Sequence, residues 1–447
     1  MSLLNRAIAS WRARRQFAPA AFLASLGALV LINFAFALAL HHAGLPTALW
    51  DLHVWLLFPS GQIPSWMHMD DSWTPMRQAY AWLVRPHHGT LYQQVFFAGH
   101  VKFQYPPSSL LLFAIPDALH LPVSDLTLNW IGWVSAAVEA AATGLIVFVA
   151  ARGSRWASVS PALHLICAVA AGLAVFTFHS VLWSFSLGQI QAWLNACFAL
   201  AVLAFLSGRQ RLAGALVGAI CLFKPQFALF LLWAILRRRW EFLAALAAVV
   251  ATGLAASVAW FGIANHVDYL SAVSFMSRHG EALYTNVSVN GALNRLLGTS
   301  DPFMVDKHAF PPFNPVIYYI STAVSACLLA TVFLFRGRSK GGLADFLAAG
   351  VVFTIASPIA WQHHLGILPP VFALLALALT GRSGARTATY AGFLAAAYLC
   401  TAIFVPPVAS LASGVPSLVY CVPLLGAFVC VVLLLRLARD FPDLPAR

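Results

Sequence analysis

Residues 212–236 read LAGALVGAICLFKPQFALFLLWAIL, an apolar run with Lys224 and Pro225 at its centre. Arginines flank this run on both sides, which is typical of two ends on the same side of a membrane. Two complete crossings need about 40 residues, whereas the run holds only 25. We therefore predict a broken or re-entrant pair of half-helices, hinged at the proline, within a larger membrane domain.

The composition of the whole chain is that of a polytopic membrane protein. Of its 447 residues, 61% are hydrophobic and 9% are charged, whereas soluble domains carry about 25% charged residues. The 33 Phe and 15 Trp residues also exclude a disordered chain. Apolar runs of about 20 residues recur along the sequence, and each can cross a hydrocarbon core. We expect an all-α fold that forms one integral membrane domain over residues 1–447.

The net charge of +12 is explained by membrane topology and does not indicate a nucleic-acid partner. Of the 26 Lys and Arg residues, 18 lie in short clusters just beyond apolar runs, the pattern of cytoplasmic loops. The clusters occupy residues 6–15, 152–155, 209–211, 237–239, 336–340, 382–386 and 436–439. Both termini are then cytoplasmic, and we expect a location in a bacterial inner membrane.

This topology predicts about 12 transmembrane helices, counting the broken run as two. The predicted spans are 19–41, 127–151, 161–183, 189–206, the two halves of 212–236, 241–262, 313–335, 343–360, 365–380, 388–405 and 416–436. Two longer segments, 42–126 and 263–312, become external loops. Nine of the 14 acidic residues and almost all of the 15 histidines fall on this outer side, where we therefore expect the functional site.

The first external loop contains two adjacent carboxylates, Asp70 and Asp71, shortly after the first span. A carboxylate near the outer boundary can act as a general base toward a hydroxyl group. The same residues can equally be solvated loop residues or helix caps, and a pair of carboxylates can also hold a divalent cation. Further along, Tyr105 begins a Tyr-Pro-Pro stretch that stiffens the entry into an apolar run.

Lys224 is an ionisable residue in the middle of an apolar segment. A charge at membrane depth is costly and faces the interior of the bundle, so it is a functional candidate. A lysine there can serve as the counter-charge to a phosphate. The alternative is a lysine whose ammonium group extends to the membrane interface.

Two later segments carry further candidates. Asn286 and Asn290 precede Arg295 in the second external loop, where they can hold a phosphate or a sugar. The alternative is an amphipathic interfacial helix with the arginine at the headgroups. His363 and His364 can relay a proton or bind phosphate. Adjacent histidines do not share one helix face, so we expect no zinc site.

Taken in order, these segments resemble glycosyltransferase family 87, whose members use polyprenol-phosphate sugars. The resemblance covers roughly residues 20–400 and rests on motifs that are individually weak. The motifs are an Asp after the first span, Leu91-Tyr92, Tyr105-Pro106-Pro107, Gly188-Gln189, Ala213-Gly214 to Lys224-Pro225 with Arg237-Arg238-Arg239-Trp240, Asn286-x-Ser288-x-Asn290-Gly291 with Arg295, and Ser357-Pro358-x-x-Trp361-x-His363-His364.

The resemblance implies a C-type glycosyltransferase fold whose active site opens to the external or periplasmic side. The donor would be a sugar, of mannose type, on a polyprenyl phosphate, and the acceptor a lipid or glycan. The family's first-loop aspartate is its base, and the spacing to Leu83 favours Asp71, with Asp70 close behind. The stretch 85–88 is an insertion relative to the family, and Gln362 replaces the usual acidic or small residue.

The residues that we expect to contact the donor phosphate or the substrate are Lys224, Arg295, His363, His364, Tyr105, Gln189, Asn286 and Asn290. Transfer from a lipid phosphate needs a base, positive charge for the leaving phosphate and a lateral cleft for the lipid. Retention would require a second carboxylate as nucleophile, which the sequence does not identify, so we predict inversion without a cofactor or an obligatory metal. The alternative function is a secondary transporter or lipid flippase, although no inverted repeat is visible.

Overall fold

The structure, a computed structural model, describes most of the chain, and the described part is mainly helical. It covers residues 3–44, 69–86, 88–153, 156–298, 300–303, 310–334, 341–380, 382, 384–411 and 413–438, with side chains from residue 18 onward. Parts of the predicted topology lie outside these ranges: residues 45–68 and 304–309 of the external loops, His87, the side chains of the cluster 6–15, and Arg155, Arg336, Arg338, Lys340 and Arg439.

The helices follow the predicted order of apolar segments. The α-helices of the described ranges are α1 (Leu3–His42), α2 (Trp73–Leu83), α3 (Leu111–Ala118), α4 (Asp125–Arg152), α5 (Pro161–Val175), α6 (His179–Ser186), α7 (Gln191–Leu206), α8 (Gln210–Cys221), α9 (Leu229–Arg237), α10 (Trp240–Phe261), α11 (Ile263–His279), α12 (Val289–Leu297), α13 (Pro315–Phe333), α14 (Leu343–Ile355), α15 (Pro369–Leu379), α16 (Ala385–Ala402) and α17 (Val422–Arg436). A π-helix (Tyr92–Ala98) and 3-10 helices (Pro107–Leu110, Pro225–Ala228, Gln362–Ile367, Ala409–Leu411, Val415–Cys421) complete the described elements.

Several of these helices are long and apolar enough to cross a membrane. The described residues contain five such helices: Ala18–His42, Asp125–Arg152, Trp240–Phe261, Pro315–Phe333 and Val415–Arg436. The pair α5 and α6 makes a sixth if it is taken as one bent span. Five further apolar helices of the described residues are shorter, at 10–17 residues: Gln191–Leu206, Gln210–Cys221, Pro225–Arg237, Leu343–Ile355 and Pro369–Leu379. The structure thus fits a polytopic membrane protein, and the count of about 12 spans stays a prediction.

The predicted break at Lys224 and Pro225 is confirmed. Helix α8 ends at Cys221, Lys224 has a non-helical backbone, and a 3-10 turn from Pro225 leads into α9. Proline lacks an amide hydrogen and disfavours a helical conformation at the residue before it, so the helix cannot run through. Ser108 Oγ donates a hydrogen bond to the carbonyl oxygen of Leu222 (2.6 Å), which satisfies one acceptor released at this helix end.

The predicted span 161–183 is not continuous. Helices α5 and α6 meet at an angle of 52°. Thr177 Oγ1 donates to the carbonyl oxygen of Ala174 (2.7 Å), and Asn33 Nδ2 donates to the carbonyl oxygen of Thr177. The Asn33 side chain thereby provides a donor for the carbonyl oxygen of Thr177 at the bend, which makes the bend tolerable in an apolar bundle.

The two predicted external loops are partly helical and pack against each other. Asp268 on α11 accepts hydrogen bonds from the backbone amides of Tyr92 (2.7 Å) and Gln93 (3.0 Å), at the start of the π-helix. A salt bridge of 2.8 Å joins Lys102 of the first loop to Glu281 of the second. The described parts of both loops therefore form one layer at one end of the bundle.

A buried ion pair fastens α9 to α14. Arg237 Nε lies 2.6 Å from Asp345 Oδ2, and both side chains are 1% exposed. The same guanidinium donates to the carbonyl oxygen of Val332 on α13 (2.6 Å), and the amide of Gly341 donates to Asp345 (2.7 Å). One charged pair thus connects three helices around the end of the broken segment.

We expect Asp345→Ala to lower the free energy of unfolding by about 3–5 kcal/mol, because it leaves the Arg237 charge buried without its partner. Thermal unfolding of the purified protein in detergent measures this change. The matched control is Glu241→Ala, which removes an exposed pair with Arg211 (3.5 Å) and costs less than about 1 kcal/mol. Equal shifts for the two variants would contradict a stabilising role for the buried pair.

Candidate active site

Asp71 is held in place through its backbone. Its amide donates to the carbonyl oxygen of Leu187 (3.1 Å), and the amide of Ser72 donates to that of Gly188 (3.2 Å). Gly188 has a φ of +67°, and a Cβ atom there would lie 2.1 Å from the carbonyl oxygen of Met69. Only glycine combines this backbone conformation with so close an approach. The turn after α6 is therefore shaped to hold residues 69–72.

A buried amide on α4 fixes the same segment from another side. Asn129 is 2% exposed, and its Nδ2 donates to the carbonyl oxygen of Met69 (2.9 Å). Its Oδ1 accepts a hydrogen bond from Trp73 Nε1 (2.7 Å). Asn129 thus bonds to the chain on both sides of Asp71, so the carboxylate is tied to the membrane bundle as well as to its own loop.

The side chain of Asp71 belongs to a network of polar groups. Gln189 Nε2 donates to Asp71 Oδ2, and Ser72 Oγ donates to Gln189 Oε1 (2.7 Å). The Tyr105 hydroxyl lies 2.9 Å from Ser72 Oγ and 3.3 Å from Gln189 Oε1. Burial raises the pKa of Tyr105 above its ordinary value, so the phenol stays protonated. The structure therefore brings together Asp71, Gln189 and Tyr105 of the predicted set.

The two adjacent aspartates have different surroundings. Both are exposed, but Asp70 Oδ2 accepts a hydrogen bond from the Thr74 hydroxyl (2.5 Å) in the first turn of α2. Asp71 instead points to Gln189, across the contact between the loop and the bundle. Asp70 thus contacts a side chain of the adjacent helix end, whereas Asp71 is part of the network.

Lys224 and His364 form a second buried group. Lys224 is 9% exposed and His364 is 7% exposed, and Lys224 Nζ lies 2.5 Å from His364 Nε2. The ring of His363 packs edge-on against that of His364, with centroids 4.8 Å apart. The interfacial alternative for Lys224 does not describe this geometry, because the Nζ atom faces protein. The break between α8 and α9 therefore presents the Lys224 amino group to the histidine pair.

Two segments connect this second group to the Asp71 network. The stretch from Tyr105 to Ser108 contacts the network through the Tyr105 hydroxyl and contacts Leu222, two residues before Lys224, through Ser108 Oγ. Helix α7 begins just after Gln189, and its Asn195 lies against Gly366, where a Cβ atom would be 2.1 Å from Nδ2. The Asp71 network and the buried group of Lys224 and His364 thus lie against the same two segments of the chain.

The second external loop binds to the chain just before the histidines. The amide of Val287 donates to the carbonyl oxygen of Ala360 (2.8 Å), and Asn286 Oδ1 accepts from the amide of Ala360 (3.0 Å). Ser288 Oγ donates to the carbonyl oxygen of Pro358 (2.7 Å). The Asn-x-Ser stretch therefore positions the segment that leads to His363.

Arg295 and Asn290 contact the chain's own atoms. Arg295 is 2% exposed and donates to the carbonyl oxygens of Leu283 and Asn286 (3.0 Å each) and to Cys421 Sγ (2.8 Å). Burial lowers the pKa of the guanidinium. Asn290 Oδ1 accepts from Asn294 Nδ2 (2.7 Å). The headgroup alternative is wrong for Arg295, since the guanidinium is enclosed by protein; contact with a donor stays untested.

Residues 103–358 match the family model for Glycosyltransferase family 87, which is more than half of the chain. The chain belongs to glycosyltransferase family 87. It is therefore a glycosyltransferase, and it uses a sugar donor and an acceptor, which argues against the transporter or flippase alternative. No curated protein and no solved structure matches the chain. The matched range includes Tyr105, Gln189, Lys224, Asn286, Asn290 and Arg295, whereas Asp70, Asp71, His363 and His364 lie outside it.

Two residues of this family 87 glycosyltransferase were missed from the sequence. The sequence does not mark Ser72 as functional, because a serine beside two aspartates is a common pattern in loops. Asn129 did carry a distinctive signal, since an amide near the start of an apolar span must find hydrogen-bond partners in the protein. Both residues help to position Asp71, and neither adds a charge to the site.

We expect Arg295→Met to lower the melting temperature of the glycosyltransferase, because it removes the donors for two buried carbonyl groups, each worth about 1–3 kcal/mol when left unsatisfied. Thermal unfolding and the donor KM, measured on the same preparation, check this expectation. Arg278→Met, an exposed arginine at the end of α11, is the control and leaves both unchanged. An unchanged melting temperature with a raised KM would place Arg295 at the donor instead.

Proposed function

We propose that this glycosyltransferase transfers a mannose-type hexose from a polyprenyl phosphate to a hydroxyl group of a lipid or glycan acceptor. The reaction takes place at the external, periplasmic face of a bacterial inner membrane. The observation that carries the proposal is the placement of an exposed, fixed carboxylate, Asp71, next to the segment that also contacts the Lys224 break. These two groups supply the base and the cation that transfer from a lipid phosphate requires.

In the proposed step, the acceptor oxygen attacks the anomeric carbon of the donor sugar. The bond between that carbon and the phosphate oxygen breaks, and the phosphate leaves with the electron pair as polyprenyl phosphate. Asp71 takes the proton of the acceptor hydroxyl as general base. A single displacement inverts the anomeric centre. A retaining path would need a second carboxylate as nucleophile, and Asp70 is engaged with Thr74.

Lys224 is the proposed counter-charge for the leaving phosphate. A positive charge that is already buried and fixed stabilises the developing negative charge more strongly than a solvated one. The adjacent His363 and His364 are the other proposed contacts of the phosphate, because the imidazole of His364 meets the lysine directly. Gln189 and Tyr105 lie on the Asp71 side of the site.

The broken segment is also the proposed entrance for the prenyl chain. Helix α9 exposes Leu232 (44%), Ile235 (48%) and Leu236 (41%) on its outer surface, all within 12 residues of Lys224. Such a face suits contact with an apolar chain in the membrane. A donor lying along α9 would have its phosphate near Lys224 and its chain in lipid.

The first test is the pair Asp71→Asn and Asp70→Asn. Loss of a general base lowers kcat by about 100-fold or more, which we expect for Asp71→Asn, while Asp70→Asn keeps kcat within about 10-fold of the wild type. The assay incubates detergent-purified protein with radiolabelled polyprenyl-phosphate mannose and a membrane lipid extract, and measures label in the acceptor fraction. Full activity of Asp71→Asn would overturn the base assignment.

The second test is Lys224→Met, which keeps an unbranched side chain one atom shorter and removes the amino group. We expect kcat to fall by about 100-fold and polyprenyl phosphate to become a weaker product inhibitor, because one strong electrostatic contact is lost. Lys224→Arg, which keeps the charge, should recover part of both. Unchanged inhibition by polyprenyl phosphate in Lys224→Met would show that the lysine does not contact the phosphate.

A further inference from the structure

The Gln189 amide lies between the Asp71 carboxylate and two hydroxyl groups. We infer that Gln189 is a positioning residue for Asp71, and that Ser72 and Tyr105 hold its amide in place from the opposite side. The sequence placed Gln189 and Tyr105 among the donor-binding residues; the geometry points to a different role for both. The inference rests on the proposed function of Asp71 as the base.

The Ser72 hydroxyl has its hydrogen-bonding capacity fully assigned. It donates its one hydrogen to Gln189 Oε1 (2.7 Å) and accepts from the amide of Ile190 (3.1 Å). Because a hydroxyl has a single hydrogen, its contact with the Tyr105 hydroxyl (2.9 Å) must have Tyr105 as the donor. The serine oxygen then accepts two hydrogen bonds and has no capacity for a third.

The Asp71 carboxylate selects one orientation of the Gln189 amide. Nε2 faces Asp71, and Oε1 faces the two hydroxyl groups. In the flipped orientation, the amide oxygen would face the carboxylate, and two acceptors would be in contact with no hydrogen between them. Asp71 therefore meets an N–H donor, and the Ser72 hydroxyl holds the opposite side of the amide.

The bond to Gln189 constrains the carboxylate that has to receive the acceptor's proton. A side chain with two free torsions on an exposed turn would otherwise sample several rotamers, and a misplaced base loses rate steeply. An N–H donor also favours the charged form of a carboxylate, which is the form that acts as a base. A positioning residue of this kind changes kcat, whereas a residue that only binds the donor changes KM.

The decisive variant is Gln189→Glu, which keeps the shape of the side chain and replaces the N–H donor with a second carboxylate. Like charges in contact raise the pKa at which Asp71 becomes ionised, so the acid limb of the kcat–pH profile should move upward by about one unit or more. At neutral pH a carboxyl shifted by this amount is still ionised, so we expect the loss of the N–H contact alone to lower kcat several-fold there, with the donor KM within about two-fold of the wild type.

The other titratable groups around Asp71 are the same in the variant and the wild type. They are Asp70 beside it, Tyr105 across the network, and Arg77 with Asp125, which pair with each other at 2.6 Å. Gln78→Glu, an exposed position on α2, is the matched control, because it adds the same charge to the same outer layer. The control should leave the pH profile unchanged.

Tyr105→Phe provides a second measurement that does not depend on the folding of Gln189→Glu. Loss of the hydroxyl removes a contact that holds Ser72 and the Gln189 amide in place, so kcat should fall several-fold while the donor KM stays constant. A raised KM with unchanged kcat in Tyr105→Phe, or an unchanged pH profile in a folded Gln189→Glu, overturns the positioning role. With Asp71→Asn inactive, either result leaves the proposed function standing; an active Asp71→Asn instead removes the proposed base itself.

Discussion

The structure depends on a single constraint: every helix break inside an apolar bundle releases backbone groups that must find partners in the protein. The break before Lys224 is satisfied by Ser108, and the bend before α6 is satisfied by Asn33. At the end of α6, the carbonyl oxygens of residues 187 and 188 accept from the segment that carries Asp71. The candidate site lies at two of these breaks. The segments that hydrogen-bond to the free backbone groups there also carry the candidate side chains.

The sequence predicted the break because its evidence is local. A proline, a lysine and a run too short for two crossings all lie within 212–236, and their effects on a helix need no knowledge of the fold. The family could also be predicted, since it depends on the order of several motifs along the chain. The choice between Asp70 and Asp71 is better defined by the structure, because it depends on Gln189, more than 100 residues away.

The motif around Asn286 shows why a residue pattern does not define a ligand. Asparagine, serine and arginine are suited to binding a sugar or phosphate, and they are equally suited to backbone amides and carbonyls. In this protein, their partners include residues 358–360 and Cys421, which the sequence places far away. The number of spans could not be settled for a related reason: several apolar helices are short, and their neighbours decide how they cross a membrane.

Residues 129 and 187–189 hold the segment that carries Asp71. The position of Asp71 therefore does not depend on the length of the loop that follows α2. The chain between Val84 and Gly89 is exposed where described, and the bonds that place the carboxylate do not pass through it. The family resemblance implies an insertion at 85–88, and such an insertion need not displace Asp71. The same independence makes this loop a suitable attachment point for a fluorophore or an affinity tag, through which the outer layer can be observed in a working enzyme.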